Sequence, residues 1–460
     1  MPDLQLSAAL AAARADLPSL VADLETRSSY GAAWLSMQRG VSISVDDREE
    51  SVSESPPTAG AVLTAYDGSA LREVAISDFD RSALSRAARD LVRDFPAKNG
   101  RAIDPGPDRH GDFSTPPGTL STRNKLERVR EIQHRLRAIE PRLINVRVLY
   151  RSVSEQSVFV NRAADLARHV DLAHIYVIAV ANGPQGVRAN LSLKSGTPDF
   201  DRLEHSDDEL RELAEHAIAM LTAERIEPGE YTVIASPGVA GTIAHESFGH
   251  GVETDMFLKE RAKAAHHIDK VVGSPLVNIL DDASLPGEFG SYFFDDEGWL
   301  AAPTHIVENG LFKRGLTDLY SATALNLPRS SNGRRQDFSR KAYARMTNTF
   351  FGAGETPVAD LFAQVDHGIY LDKWSSGMED PQGWGIQVTC RYGREIKHGR
   401  LTDRFFAPIV VTGYVPDVLQ TISAVGNDLM LEPGGCGKGH KELIRVSAGG
   451  PHLLMKARLS

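Results

Sequence analysis

The stretch Tyr231-Thr232-Val233-Ile234-Ala235, then Ser236-Pro237-Gly238, then Val239 through His245-Glu246-Ser247-Phe248-Gly249-His250 carries the reading of this chain. The apolar pentapeptide reads as a strand, Ser-Pro-Gly as a turn, and the run from Val239 as a helix, so the motif sits where a strand feeds a helix. Two imidazoles hold a divalent metal while a carboxylate between them activates a water, so the six residues 245–250 point to metal-assisted hydrolysis. In the familiar H-E-x-x-H helix the histidines are four apart; here they are five apart, which turns them about 140° from one another on a regular helix. The spacing therefore predicts a π-bulge or a helix end between Glu246 and Gly251, made easy by Gly249 and Gly251.

A third ligand is needed. Cys390 lies in the alternating run Ile386-Gln387-Val388-Thr389-Cys390-Arg391-Tyr392 and reads as a buried apolar residue of a strand. Cys436 lies in Pro433-Gly434-Gly435-Cys436-Gly437-Lys438-Gly439-His440, which reads as a glycine-dense loop where the backbone approaches an ion closely and Lys438 favours thiolate. Thiolate with two imidazoles is a sound zinc set, while an incidental thiol on a surface turn carries equal weight. Glu253 and Asp255 are rivals, as ligands or as partners that orient an imidazole.

Outward from the motif, helical patterns run over about Leu4–Leu24, Ser82–Phe95, Ser121–Ile139 and Asp207–Glu224, interleaved with strand-like runs at Val41–Val45, Val146–Val153 and Ile175–Val180. Proline, glycine and aspartate make Lys98–Pro117 a loop over the other domain, with a solvated His110, and the polar run Arg48–Pro57 reads as an exposed loop. After Glu227-Pro228-Gly229-Glu230 the texture turns to short strands and glycine-rich turns. The expected fold is α+β: an N-terminal α/β sandwich domain over residues 1–227, then a mostly β domain over 228–460 carrying the motif helix.

The run Ser236-Pro237-Gly238-Val239-Ala240-Gly241, continuing through His245-Glu246-Ser247-Phe248-Gly249-His250-Gly251-Val252-Glu253-Thr254-Asp255, resembles the active-site signature of the TldD/PmbA family of zinc proteases. Asp295-Asp296-Glu297-Gly298, Leu316-Thr317-Asp318, Asn332-Gly333-Arg334, Arg345 to Thr349, Gly399 to Thr402 and Cys436-Gly437-Lys438 resemble further family blocks in the family's order. The resemblance covers about residues 230 to 450 and is to the metal-bearing TldD-type subunit, whose sister subunit type lacks the ligands. It implies His245, His250 and Cys436 as zinc ligands and Glu246 as general base, taking the proton of a zinc-bound water. It further implies a metallopeptidase acting on unfolded peptides or leader segments, enclosed in a homodimer or a heterodimer with a sister subunit. The alternatives are a catalytically silent peptide-binding subunit and a metal-dependent amidohydrolase of a small molecule. Lys438, His440 or a tyrosine would follow the metal as oxyanion stabilisers. An extended peptide would add as a strand to a free sheet edge.

Composition agrees with a soluble enzyme. At 460 residues, 42% of them hydrophobic, the chain is long enough for two cores. A formal net charge of -10 argues against nucleic acid, since phosphate contacts need clustered Lys and Arg. Two distant cysteines make no disulfide framework and suit the cytoplasm. No apolar run reaches membrane-spanning length, and Arg14, Asp16 and Asp23 mark the N-terminal segment as an amphipathic helix rather than a signal. Lys259-Glu260-Arg261-Ala262-Lys263 reads as an exposed helix face or lid, and His266 and His267 as surface histidines. Arg345 and Asn348 read equally as substrate-backbone contacts or as bonds within a sheet.

Overall fold

The computed structural model describes residues 4–95, 102–184, 186–438 and 441–460. Its first half is built on α1 (Ala8–Glu25), β1 (Tyr30–Val45), β2 (Glu50–Tyr66), β3 (Leu71–Ile76), α2 (Arg81–Val92), β4 (Arg109–Ser114), α3 (Thr122–Ile139), β5 (Asn145–Asn161), β6 (Ala164–Gly183), β7 (Gly186–Gly196) and α4 (Asp207–Ala219). The seven strands form one sheet in the order β3-β2-β1-β5-β6-β4, with β7 also on β6. Strand alternation sorts its side chains. Ala33, Leu35, Leu63 and Val160 join α1 and α2 in one core, while Tyr30, Ala32, Trp34 and Phe159 join Phe294 and Leu319 from the second half. Further along the sheet, Ile43, Val148 and Val177 pack under α3 and α4.

The second half begins with β8 (Gly229–Ala235) and α5 (Pro237–Phe248), as the strand-turn-helix reading predicts, followed by α6 (Thr254–Leu258). The strands β9 (Ile279–Asp282), β10 (Pro303–Glu308), β11 (Leu311–Phe312), β14 (Asn348–Phe351), β20 (Met430–Lys438) and β21 (Lys441–Gly450) make a six-stranded sheet ordered β11-β10-β9-β14-β21-β20. A two-stranded ribbon pairs β12 (Gly333–Arg334) with β13 (Tyr343–Ala344). The remaining sheet has seven strands: β15 (His367–Asp380), β8, β22 (Leu453–Leu459), β18 (Ile409–Tyr414), β16 (Gly385–Lys397) and β17 (Arg400–Phe406), with β19 (Ala424–Val425) on β22. This mixed α+β architecture is the expected class, though β15 and β16 are longer than the short strands foreseen.

Two expected loops contain strands. Arg109–Ser114 runs parallel to β6, because Pro105, Pro107, Pro116 and Pro117 all fall outside the paired residues and cost the ladder no N–H. His110 is exposed there, and residues 98–101 of that expected loop lie outside the described residues. Arg48–Pro57 is exposed as foreseen, but from Glu50 it is the outer part of β2, paired with β1 across a bulge near Gln38. The fourth helix gives way to a 3₁₀ turn, Met220–Thr222. No helix among the described residues is long and apolar enough to cross a membrane.

The halves are joined by buried charge. Arg168 of β6 pairs with Glu155 of β5 at 2.5 Å and with Asp296 at 2.8 Å, and donates to the Phe294 carbonyl. Arg329 reaches Glu297 at 3.3 Å and Asp295 at 3.6 Å, while desolvation pushes Glu297 up to about 8. The family-like Asp295-Asp296-Glu297 block is thus part of the seam between the halves.

Desolvation pulls His174, His205 and His216 down to about 4. His205 is held neutral between the Leu203 carbonyl and Ser192 Oγ, each at 3.0 Å. Below pH 6.5 the unfolded chain binds a proton that the folded imidazole refuses, so stability present at neutral pH is lost as pH falls toward 4. Each such group accounts for up to about 3 kcal/mol of that loss. Denaturant titrations between pH 7 and 4 should show His205→Gln declining less steeply than the parent chain.

Candidate metal centre

α5 ends where the histidine spacing requires. Its last residue is Phe248, Gly249 takes φ -95 and ψ -80, and a 3₁₀ turn, His250–Val252, follows. No side chain fits at Gly249, since a Cβ would come within 1.8 Å of Met346 Sδ and 2.4 Å of the His245 carbonyl. The break swings His250 back, leaving the two imidazole rings 4.9 Å apart and perpendicular at 88°.

The third donor comes from another sheet. Cys436, foreseen in a loop, is in β20 opposite Ile444 of β21, and its sulfur stands 3.3 Å from His250 Nε2. Gly241 of α5 lies against Gly449 of β21, and a Cβ there would meet the Gly449 nitrogen at 2.3 Å. The candidate donor atoms of His245, His250 and Cys436 all lie within 4.8 Å of one another. His250 and Cys436 are buried and His245 partly so.

Electrostatics separate the two cysteines. At Cys436 burial pushes the thiol up, but His250 and Arg345 outweigh it, and the net direction is toward thiolate. At Cys390, buried in β16, burial and Asp372 push the same way, up, and the thiol stays protonated. His250 is the larger of the two lowering influences, and Arg345 adds to it. Its Nη2 donates to the Cys436 carbonyl at 2.8 Å and to Sγ at 3.1 Å, and its Nε reaches Glu253 Oε1 at 3.2 Å. Glu253 Oε2 lies 3.6 Å from His250 Nδ1. Of the two roles open to Glu253, orienting the imidazole is the one its position serves. Burial lowers the His250 pKa, yet Cys436 and Glu253 outweigh it and raise it; at His245 burial wins and the pKa falls.

These donors open onto a cavity of ≈ 450 Å³, lined also by Glu246, Trp374, Glu379 and Glu432. Glu246 packs on Gly377 of β15, where a Cβ would touch Oε1 at 2.4 Å. Trp374 Nε1 donates to Glu432 at 2.7 Å. Sequence reasoning missed Trp374, Glu379 and Glu432, although strand alternation back from Cys436 through Gly434 reaches Glu432.

Other candidates fall elsewhere. Asn348 bonds the Asp282 carbonyl and Ser291, a structural role. Lys259–Arg261 forms an exposed stretch after α6 instead of a helix face while Ala262 is buried in the core, His266 is exposed, and His267 packs on Trp384 at 4.8 Å. Asp255 pairs with Lys259 at 3.5 Å. His440 and the Lys438 side chain lie outside the described residues.

Residues 228–458 match the family model described as the PmbA/TldA metallopeptidase C-terminal domain. The chain belongs to the PmbA/TldD family. It is 27% identical to a metalloprotease of Synechocystis over 466 aligned residues, covering 97% of this chain and 98% of that protein. It is 29% identical to a Saccharolobus solfataricus protein named zinc metalloprotease TldD homolog, over 54% of this chain and 55% of that one. In structure it is similar to TldE from Thermococcus kodakarensis, with a TM-score of 0.74 at 15% identity over 96% of this chain and 99% of that one, a likeness of fold.

Because α5 and β21 meet backbone to backbone, Gly241→Ala must part the helix from the sheet that brings Cys436. It should destabilise the chain by about 1–3 kcal/mol in a denaturant titration.

Proposed function

We propose that this chain is a zinc-dependent peptidase hydrolysing unfolded peptides or leader segments, with His245, His250 and Cys436 as ligands and Glu246 as the base. The observation that carries this reading is convergence. An imidazole from the end of α5, a second from the turn after it and a thiol from a different sheet lie within 4.8 Å of one another, in a cavity that Glu246 also lines.

The donor set suits zinc, with two imidazoles and a thiol that His250 and Arg345 bias toward thiolate. When bound, zinc supplies Lewis acidity toward a water and a peptide carbonyl. The chain's own residues do the rest. Arg345 holds the sulfur in place, Glu253 fixes the His250 ring, and Glu246 takes the proton of the attacking water and returns it to the leaving amine.

Free strand edges favour a peptide over a small amide. β20 is the last strand of its sheet, and the part of β15 from Trp374 to Asp380 pairs only with β16 among the described residues. Both segments line the cavity, so an extended peptide lying between them would find backbone donors and acceptors on either side, with little demand on its side chains. We further propose a division into units 1–227 and 228–460, cytoplasmic action, and assembly with a second copy or a TldE-like sister subunit. The fold's likeness to TldE supports the last.

The test uses two variants. Glu246→Gln should keep its zinc by atomic spectroscopy and lose cleavage of an unstructured peptide by about 10²–10⁴-fold. Cys436→Ala should lose the zinc. Undiminished cleavage by Glu246→Gln defeats the mechanism, and full zinc in Cys436→Ala defeats the ligand assignment.

A further inference from the structure

A second cavity, of ≈ 360 Å³, lies between the first sheet and β21 and shares no lining residue with the one at the candidate metal centre. Four guanidiniums line it: Arg168, Arg334, Arg335 and Arg445. Three of them have carboxylates. Glu155 bridges Arg168 at 2.5 Å and Arg445 at 3.4 Å, Asp296 takes Arg168, and Glu73 takes Arg335. Asp337, also in the lining, accepts from Ser339.

Arg334 differs. It is 6% exposed, yet the one hydrogen bond its side chain makes among the described residues runs from Nη1 to the Met346 carbonyl at 2.5 Å, and its guanidinium stands 5.2 Å from the Tyr292 ring centre. No carboxylate of the described residues is within ion-pairing distance of it. Burial lowers its pKa and, with Arg445 and Arg345 pulling the same way, outweighs the opposite pull of Tyr292 and of the more distant Asp296. The buried Nε atoms of Arg168 and Arg335 also have no acceptor among the described residues. A buried guanidinium with no carboxylate paired to it is costly, and an anion filling the space beside it would offset that cost.

We propose that this cavity binds a small anion, a carboxylate or phosphate group, with Arg334 as its principal donor. The planar fork of a guanidinium matches either group bidentately. The site stands apart from the proposed chemistry but is tied to its scaffold. Arg334 is on the ribbon that leads into Arg345, whose own N–H bonds the Asn332 carbonyl at 2.9 Å, and Arg445 is opposite Gly435, the neighbour of Cys436. An anion there would brace both segments that hold the thiol.

The experiment titrates the full-length chain with inorganic phosphate and with succinate at constant ionic strength in chloride, by calorimetry and thermal melting. Saturable binding with a rise in Tm is expected. Phosphate alone would define the ligand as a phosphate ester, and succinate as well would extend it to carboxylates. Arg334→Gln should bind at least about tenfold more weakly, and Arg334→Lys, which keeps the charge without the fork, should be weakened too. Cys436→Ala should bind as the parent does, which separates this cavity from a metal as the anion's seat. No saturable binding by either anion in the parent chain overturns the proposal, whatever the variants do. Undiminished binding in Arg334→Gln, or binding lost in Cys436→Ala, overturns it as well.

Discussion

Everything at the candidate centre depends on a helix buried on all sides. From Pro237 to Phe248 every residue of α5 except His245 is buried, between the sheet of β14, β21 and β20 and the sheet of β8, β15 and β16. Such a helix has no solvated face, so its polar residues must find work inside the protein. Thr242 and Ser247 bond back to carbonyls one turn earlier. His245 and Glu246 are left for the cavity. The same burial leaves the chain no room to continue as a helix, and Gly249, crowded by Met346, is where it turns.

Arg345, Glu253 and Cys436 form the second level of control. A lone buried guanidinium, carboxylate or thiolate would each be costly; together they are mutually compensated. The arrangement gives each charge a directional task, Arg345 toward the sulfur and Glu253 toward the far nitrogen of His250. Cys390, equally buried but without a cation at hand, shows what the thiol would be without them.

How much was legible follows from how local each feature is. The strand, turn and helix of residues 229–248 are set by neighbouring residues, and the helix break by the five-residue spacing, so both were readable. Cys436 was readable as a candidate but not as part of a strand. Gly434, Gly435 and Gly437 look like loop residues because their local preference is permissive, whereas β20 exists through pairing with β21. Arg109–Ser114 escaped for a similar reason, since its partner Ala164–His169 is distant in sequence and flanking prolines dominated the local signal. Arg345's bond to sulfur and the placing of Arg334 without a paired carboxylate are tertiary facts with no local trace.

Drawing donors from separate elements has an energetic consequence. His245 and His250 come with α5, but Cys436 arrives only when the six-stranded sheet closes on that helix through Gly241 and Gly449. Affinity for a metal held by these donors would therefore include the free energy of holding the two together, and anything that parts them would weaken binding without touching a proposed ligand. The bonds of Arg345 to the Cys436 carbonyl and sulfur act against that loss. They keep the thiol aimed at His250 through contacts that involve no ion, so the geometry belongs to the polypeptide and an ion would enter a site already shaped for it.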